Sequence, residues 1–217
     1  MFIGVIQEVG KITEKNIEND KIYLTIKAEE LINELAVGNE VSINGIAAIV
    51  KEVTEKNFKV LMDLSIMINN HIDNLEVDTA VNLEKEIQPY KYEGSHVITG
   101  NINNIGEVMS IEKVDGKRQL HLKTVKDLHD YFNENNSIAI NGISLNISRL
   151  IEDEIEVEII DSIWENTNLK LLEKGDQVNI ETDIVGRYLG QIIEKEKEMS
   201  EKKQIIKKDL LKDDGFI

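Results

Sequence analysis

The sequence predicts an all-β protein: two tandem copies of one small antiparallel β-barrel, followed by a helical tail. Three observations carry this. The stretch Val41-Ser42-Ile43-Asn44-Gly45-Ile46 returns as Ile138-Ala139-Ile140-Asn141-Gly142-Ile143, at an offset of 97 residues. Short segments of alternating apolar and polar residues fill both halves of the chain. After Asp183 the apolar spacing changes to the 3.6-residue period of a helix.

In each copy of the repeated stretch, alternation stops at Asn-Gly and an apolar residue follows. Asn-Gly between such runs predicts a two-residue hairpin turn with positive φ. Around it the chain keeps register with itself. Phe2-Ile3-Gly4 aligns with Ile98-Thr99-Gly100 and Gly10 with Gly106 at offset 96. Leu24 falls on His121, and Val81-Asn82-Leu83-Glu84 on Val178-Asn179-Ile180-Glu181, at offset 97. Self-similarity over this length is the mark of a duplicated unit. Ile22, Leu24 and Ile26 alternate with polar residues, as do Phe58, Val60 and Met62, and in the second copy Ile155, Val157 and Ile159. Each copy also carries a short helical segment, Glu29–Leu35 and Lys126–Phe132, whose apolar residues would plug a barrel end. Glu86 to Gly94 contains the only proline and forms the natural boundary. In the tail, Val185, Leu189, Ile192 and Ile193 make one apolar stripe, which needs a partner surface such as a neighbouring subunit. Residues 1–93 are expected to form the first barrel, 94–186 the second and 187–217 the helical tail.

The chain has 217 residues, no cysteine and a formal net charge of −16. Without cysteine there are no disulfides, thiolate nucleophiles or zinc–thiolate sites. The acidic surface repels phosphate backbones, so no nucleic-acid partner is expected. No apolar run reaches membrane-span length and no secretory leader opens the sequence, so a cytoplasmic protein without membrane contact is expected. The four histidines lack ligand spacing, and no metal or cofactor is expected.

Residues just past the Asn-Gly turns are candidates for a barrel mouth. In the second copy these are Ser144 and Asn146, both able to hydrogen-bond a polar ring; in the first they are Ala47 and Ile49, which cannot. The same hydroxyl and amide also suit a purely local role at a turn. His96, beside Gly94-Ser95 and Thr99-Gly100-Asn101, suits acid–base work or a structural hydrogen bond. Asp183 would hold a catalytic group or cap the tail helix. Trp164, the only tryptophan, suits packing better than ligand stacking.

Several segments resemble the riboflavin synthase family. The opening Met1-Phe2-Ile3-Gly4-Val5-Ile6-Gln7-Glu8-Val9-Gly10 is similar to the family's start. Asn44-Gly45-Ile46 and Asn141-Gly142-Ile143-Ser144-Leu145 resemble its two lumazine-binding hairpins, and Gly94-Ser95-His96-Val97-Ile98-Thr99-Gly100 its interbarrel segment. The ending from Ile205 to Phe216 is similar to Gram-positive members. The resemblance implies two six-stranded Greek-key barrels, a C-terminal α-helix and a homotrimer. It implies an enzyme that needs no cofactor and converts two molecules of 6,7-dimethyl-8-ribityllumazine to riboflavin and 5-amino-6-ribitylaminouracil. It also implies an association with lumazine synthase.

Carried over by position, the resemblance places Gly4, Val5, Ile6, Ala47, Ala48, Ile49, Leu61, Met62, Asp63, Leu64, Ser65, Ile66, Gly100, Asn101 and Ile102 in a first pocket. It places Asn135, Ser144, Leu145, Asn146, Ile159, Ile160, Asp161, Ser162, Ile163 and Trp164 in a second. Phe2, His96, Ser144 and Asp183 match the family's catalytic positions. Polar family residues are replaced by Ile3, Ala47 and Ile49, the family's histidine by Asn101 and its second-copy lysine at Asn135. Each lost hydrogen bond to a buried polar ring should cost roughly 1–3 kcal/mol. Three functions fit: a weakened riboflavin synthase, a silent lumazine or flavin carrier like the related antenna proteins, and a structural trimer without ligand.

Overall fold

Twelve strands form two closed rings in the computed structural model, which describes residues 1–63, 75–87, 96–124, 134, 136–151, 153–184 and 188. The first barrel contains β1 (Glu8–Glu18), β2 (Lys21–Lys27), β3 (Glu40–Ile43), β4 (Ile46–Val53), β5 (Asn57–Asp63) and β6 (Ala80–Lys85). The second contains β7 (Asn104–Val114), β8 (Lys117–Lys123), β9 (Ser137–Ile140), β10 (Ile143–Ile151), β11 (Glu154–Ile159) and β12 (Gln177–Thr182). Around the first ring the order is β1-β2-β5-β4-β3-β6, and around the second β7-β8-β11-β10-β9-β12, antiparallel throughout. Both follow one Greek-key path, and closure leaves no unpaired sheet edge. Residues Met1–Asp183 make one compact unit and Ile184–Ile217 another.

Period-two alternation builds each core. Ile22, Leu24 and Ile26 of β2 face inward beside Phe58, Val60 and Met62 of β5, all essentially buried. Leu120 and Leu122 of β8 do the same beside Ile155, Val157 and Ile159 of β11. This pairing corrects one part of the self-alignment. Leu24 pairs with Val60, and Leu120 with Val157, so Leu24 corresponds to Leu120 and not to His121. The offset is therefore 96 through the arms and the first two strands of each barrel, and 97 afterwards. A one-residue slip would have turned His121 into the core and Leu120 out to solvent. The helical segment expected near residue 30 is a four-residue 3-10 helix, Leu31–Glu34, with Leu31, Ile32 and Leu35 buried in the first core. The Glu8 carboxylate accepts from the N–H groups of Glu29, Glu30 and Leu31 at 2.6, 3.0 and 2.8 Å. It satisfies donors that a short helix leaves open.

The Asn-Gly turns form as expected, with φ of +48° and +84° at Asn44 and Gly45, and +46° and +78° at Asn141 and Gly142. They also meet each other. A Cβ on Gly45 would lie 2.8 Å from the Gly142 nitrogen, and one on Gly142 2.7 Å from the Gly45 nitrogen. Two buried asparagines stitch this seam. The Asn82 amide donates to the Asn141 carbonyl at 3.0 Å, and the Asn179 amide to the Asn44 carbonyl at 2.9 Å. The barrels are thus related by a local two-fold arrangement, and the turns lie at its centre.

An α-helix, α1 (Asp161–Asn166), follows β11, and a 3-10 turn, Asn168–Leu171, follows it. Arg118 of β8 fixes α1: it pairs with Asp161 and lies 4.8 Å above the Trp164 ring. The expected Lys126–Phe132 helix, the proline linker, Leu64, Ser65, Ile66, Asn135 and the tail helix lie outside the described residues.

Candidate functional site

The site is assembled by the two segments that precede β1 and β7. Neither is part of a barrel sheet, so their backbone groups need partners elsewhere. They first pair with each other: Phe2 N–H donates to Ile98 at 2.8 Å and Ile98 N–H to Phe2 at 2.9 Å. Phe2 and Ile98 are fully buried, packed with Ala139 and Ala47. Then each arm crosses to the opposite barrel. The Gly4 carbonyl accepts from Ser144 N–H at 3.1 Å, and the Gly100 carbonyl accepts from Ala47 N–H at 3.2 Å. Ile6 packs against the second core, and Ile102 lies in the first.

Both contacts require glycine. Gly4 has a φ of +78°, and a Cβ there would lie 2.5 Å from Ser144 Cβ. Gly100 has a φ of +83°, and a Cβ there would lie 2.5 Å from Ala47 Cβ.

Where the first arm lies on the second barrel, a cavity of about 830 Å³ opens. Gly4, Val5 and Ile6 form one wall; Ile143, Ser144 and His96 form another; Ser162, Ile163, Asn166 and Thr167 of the α1 region form a third. Gly4–Ile6 belong with Ser144 and Ser162, not with Ala47, because the arm crosses between barrels. Ser144 and Ala47 likewise do not open into a barrel mouth. Their neighbours Leu145 and Ala48 point into the cores, so alternation turns Ser144 and Ala47 outward, onto the opposite arm.

Of the residues expected to be catalytic, two touch. His96 Nδ1 lies 2.7 Å from Ser144 Oγ. His96 is 5% exposed, and its Nε2 has no hydrogen-bond partner among the described residues. Burial pulls the His96 pKa down from its ordinary 6.5, and the charge of Asp183 pulls it partly back. The imidazole is therefore neutral at pH 7. If Ser144 donates to Nδ1, Nε2–H is a donor; if Nδ1–H donates to Ser144, Nε2 is a base. Phe2 stands apart from this pair as an apolar anchor beneath the arm.

The other expected residues divide by burial. Met62, Ile159, Leu145 and Ala48 are core residues. Asn146, Ile49, Ile160, Asp63 and Asn101 are exposed, and Leu61 is half-buried. Asp63 pairs with Lys21 at 2.6 Å, and the Asn101 amide donates to Thr99 Oγ1 at 3.1 Å.

Sequence reasoning missed Glu84 and Glu181. The Glu84 carboxylate accepts from Ile3 N–H at 2.8 Å and Gly4 N–H at 3.0 Å. Glu181 accepts from Thr99 N–H at 2.7 Å, Gly100 N–H at 3.0 Å and Thr99 Oγ1 at 2.6 Å. Burial pushes the Glu84 carboxyl up to about 7, against the pull of the Ile3, Gly4 and Val5 N–H groups and the Met1 ammonium. The signal was present: Val81-Asn82-Leu83-Glu84 and Val178-Asn179-Ile180-Glu181 place polar residues where both faces of a strand are buried.

Burial of His96 makes stability depend on pH. Below about 6.5 the unfolded chain binds a proton that the folded imidazole refuses, so the histidine's stabilising share fades as pH falls through its depressed folded pKa. Wild-type melting temperature should drop more than that of His96→Asn between pH 7 and 5. Parallel curves would contradict a neutral buried imidazole.

Two closed six-stranded barrels with exchanged arms define a tandem β-barrel architecture. The lumazine binding domain family matches residues 99–183. A riboflavin synthase from Actinobacillus pleuropneumoniae is 31% identical over 216 residues, covering 100% of both chains. One from Bacillus subtilis (strain 168) is 28% identical over 216 residues, again covering 100% of both. The chain belongs to the riboflavin synthase family. Solved structures of LumP are similar over most of the chain. The complex with 6,7-dimethyl-8-(1'-D-ribityl) lumazine has TM-score 0.75 and 27% identity, covering 84% of this chain and 99% of that one. The riboflavin complex has TM-score 0.76, with the same identity and coverage.

Proposed function

We propose that this protein is a riboflavin synthase-type transferase. It takes two molecules of 6,7-dimethyl-8-ribityllumazine, moves a four-carbon unit from one to the other, and releases riboflavin and 5-amino-6-ribitylaminouracil. The observation that carries this reading is the buried His96–Ser144 pair on a cavity of about 830 Å³, with Asp183 acting on the imidazole. Dismutation needs a proton taken from a ring methyl group and returned later, and a neutral imidazole at pH 7 is suited to both steps. Held by the crossed arm, the rings would gain most of their rate from positioning. In this reading residues 1–93 and 94–186 are the two lumazine-binding units, and 187–217 is a trimerising tail. The protein acts as a cytoplasmic homotrimer and associates with lumazine synthase.

A second reading has a specific observation in its favour. Ala47 and Ile49, on the first hairpin, offer a ligand no polar side chain, whereas Ser144 and Asn146 do. A protein that fills one pocket and turns nothing over would look like this.

Incubation of the purified protein with 6,7-dimethyl-8-ribityllumazine separates the two. The synthase reading expects riboflavin fluorescence to appear, and Ser144→Ala to weaken lumazine binding by about tenfold through one lost hydrogen bond. Lumazine retained without riboflavin would favour the carrier. Unchanged affinity in Ser144→Ala would remove the second barrel from both.

A further inference from the structure

We propose that Glu84 is a positioning residue for the ligand at His96 and Ser144: a first-barrel carboxylate that fixes the arm forming one wall of the second barrel's cavity. The proposal rests on the reading of that cavity as a lumazine or flavin site. Ile3 and Gly4 lie outside the barrel ladders, and their N–H groups turn to the two oxygens of one carboxylate. Gly4 in turn gives its carbonyl to Ser144 N–H. Glu84 therefore reaches the second hairpin through a single residue, with a hydrogen bond on each side of it.

The same device occurs twice, since Glu181 holds Thr99 and Gly100 against Ala47. The two copies differ at the residue before the glycine. Thr99 adds its hydroxyl to Glu181 at 2.6 Å, while Ile3, at the matching place, has none to give Glu84. Burial raises the Glu84 carboxyl to about 7, against the pull of its N–H donors. Protonation turns one oxygen into a hydroxyl, a poor acceptor for the N–H it faces. The arm should loosen as pH falls through this range. Among the described residues, the other charged groups around Glu84 are the Met1 ammonium on the arm, Glu40 on β3, Glu34 of the 3-10 helix, and Lys85 and Glu86 next to it in the chain. His96 titrates lower, because burial depresses it.

The test uses the full chain, riboflavin as probe, and two variants. Glu84→Gln keeps the shape but presents only one good acceptor; Ile3→Thr supplies the missing hydroxyl. Riboflavin affinity is measured by fluorescence between pH 6.5 and 8, and amide exchange is followed at Ile3 and Gly4. Glu84→Gln is expected to speed exchange at both amides, to weaken riboflavin about tenfold at pH 8, and to flatten the pH profile. Ile3→Thr is expected to move the wild-type pH break downward. Unchanged exchange in Glu84→Gln would overturn the clamp. Faster exchange with unchanged affinity would overturn the positioning role and leave Glu84 a structural group. A wild type that binds no riboflavin while Glu84→Gln still speeds exchange would overturn the ligand reading, and the positioning role with it.

Discussion

Gly142→Ala is expected to destabilise the protein by roughly 3 kcal/mol or more, read as a fall in the urea midpoint of the Met1–Asp183 unit. Two costs combine. At φ +78° an alanine pays the left-handed penalty of about 1–2 kcal/mol. Its Cβ would also stand 2.7 Å from the Gly45 nitrogen and 3.0 Å from the Gly45 Cα, which belong to backbone that cannot swing aside. Relief requires the turns to separate, which strains the Asn82 and Asn179 bridges between the barrels. Each buried amide or carbonyl left unpaired costs a further 1–3 kcal/mol or so. Gly175→Ala is a useful comparison, because Gly175 also has positive φ, of +93°, but nothing lies within 4 Å of a Cβ there. It should cost only the backbone term. Equal losses at the two sites would show that the turns do not meet.

Gly4→Ala is expected to reduce turnover or ligand retention by about a hundredfold, beyond the left-handed penalty of about 1–2 kcal/mol that it adds at φ +78°. The added Cβ would lie 2.5 Å from both Ser144 Cβ and Ser144 N, and 2.7 Å from Ile98 Cδ1. Ordinary contact begins near 3.4 Å. The arm must therefore retreat by nearly an ångström from the hairpin that carries Ser144. Retreat breaks the Ser144 N–H to Gly4 carbonyl bond and opens the wall made by Val5 and Ile6. The barrels themselves are untouched, so their cooperative unfolding should survive. Riboflavin titration and thermal melting on the same sample give both quantities. An unaltered affinity would mean that the arm is not part of the binding site.

Much of the fold was written in local patterns. Asn44-Gly45 and Asn141-Gly142 encode their turns directly, and the alternation in β2, β5 and β11 encodes the inward faces. The exchanged arms were not legible. Phe2 pairs with Ile98 across almost a hundred residues, and nothing in either tripeptide says which barrel it will lie on. For the same reason nothing local in Gly4–Ile6 says that they line a cavity with Ser144. The change from offset 96 to 97 was also misplaced, because one residue flips a strand's faces and Leu24 aligns plausibly with either neighbour until a pairing partner is known. Helix α1 escaped notice because it is six residues long and begins after Ile160, which offers no capping side chain. Glu84 was seen only as part of a repeated motif. Its role depends on two N–H groups brought from about eighty residues away.

In the proposed reading the crossed arm, His96 and Ser144 together hold a ribityl-bearing ring system. A crystal structure of the protein soaked with riboflavin tests it most directly. The account predicts the isoalloxazine ring between Val5 and the Ser162–Thr167 segment, with a polar atom of the ligand within hydrogen-bond distance of His96 Nε2 or Ser144 Oγ. A ring bound elsewhere on the chain, with that cavity empty, would contradict it.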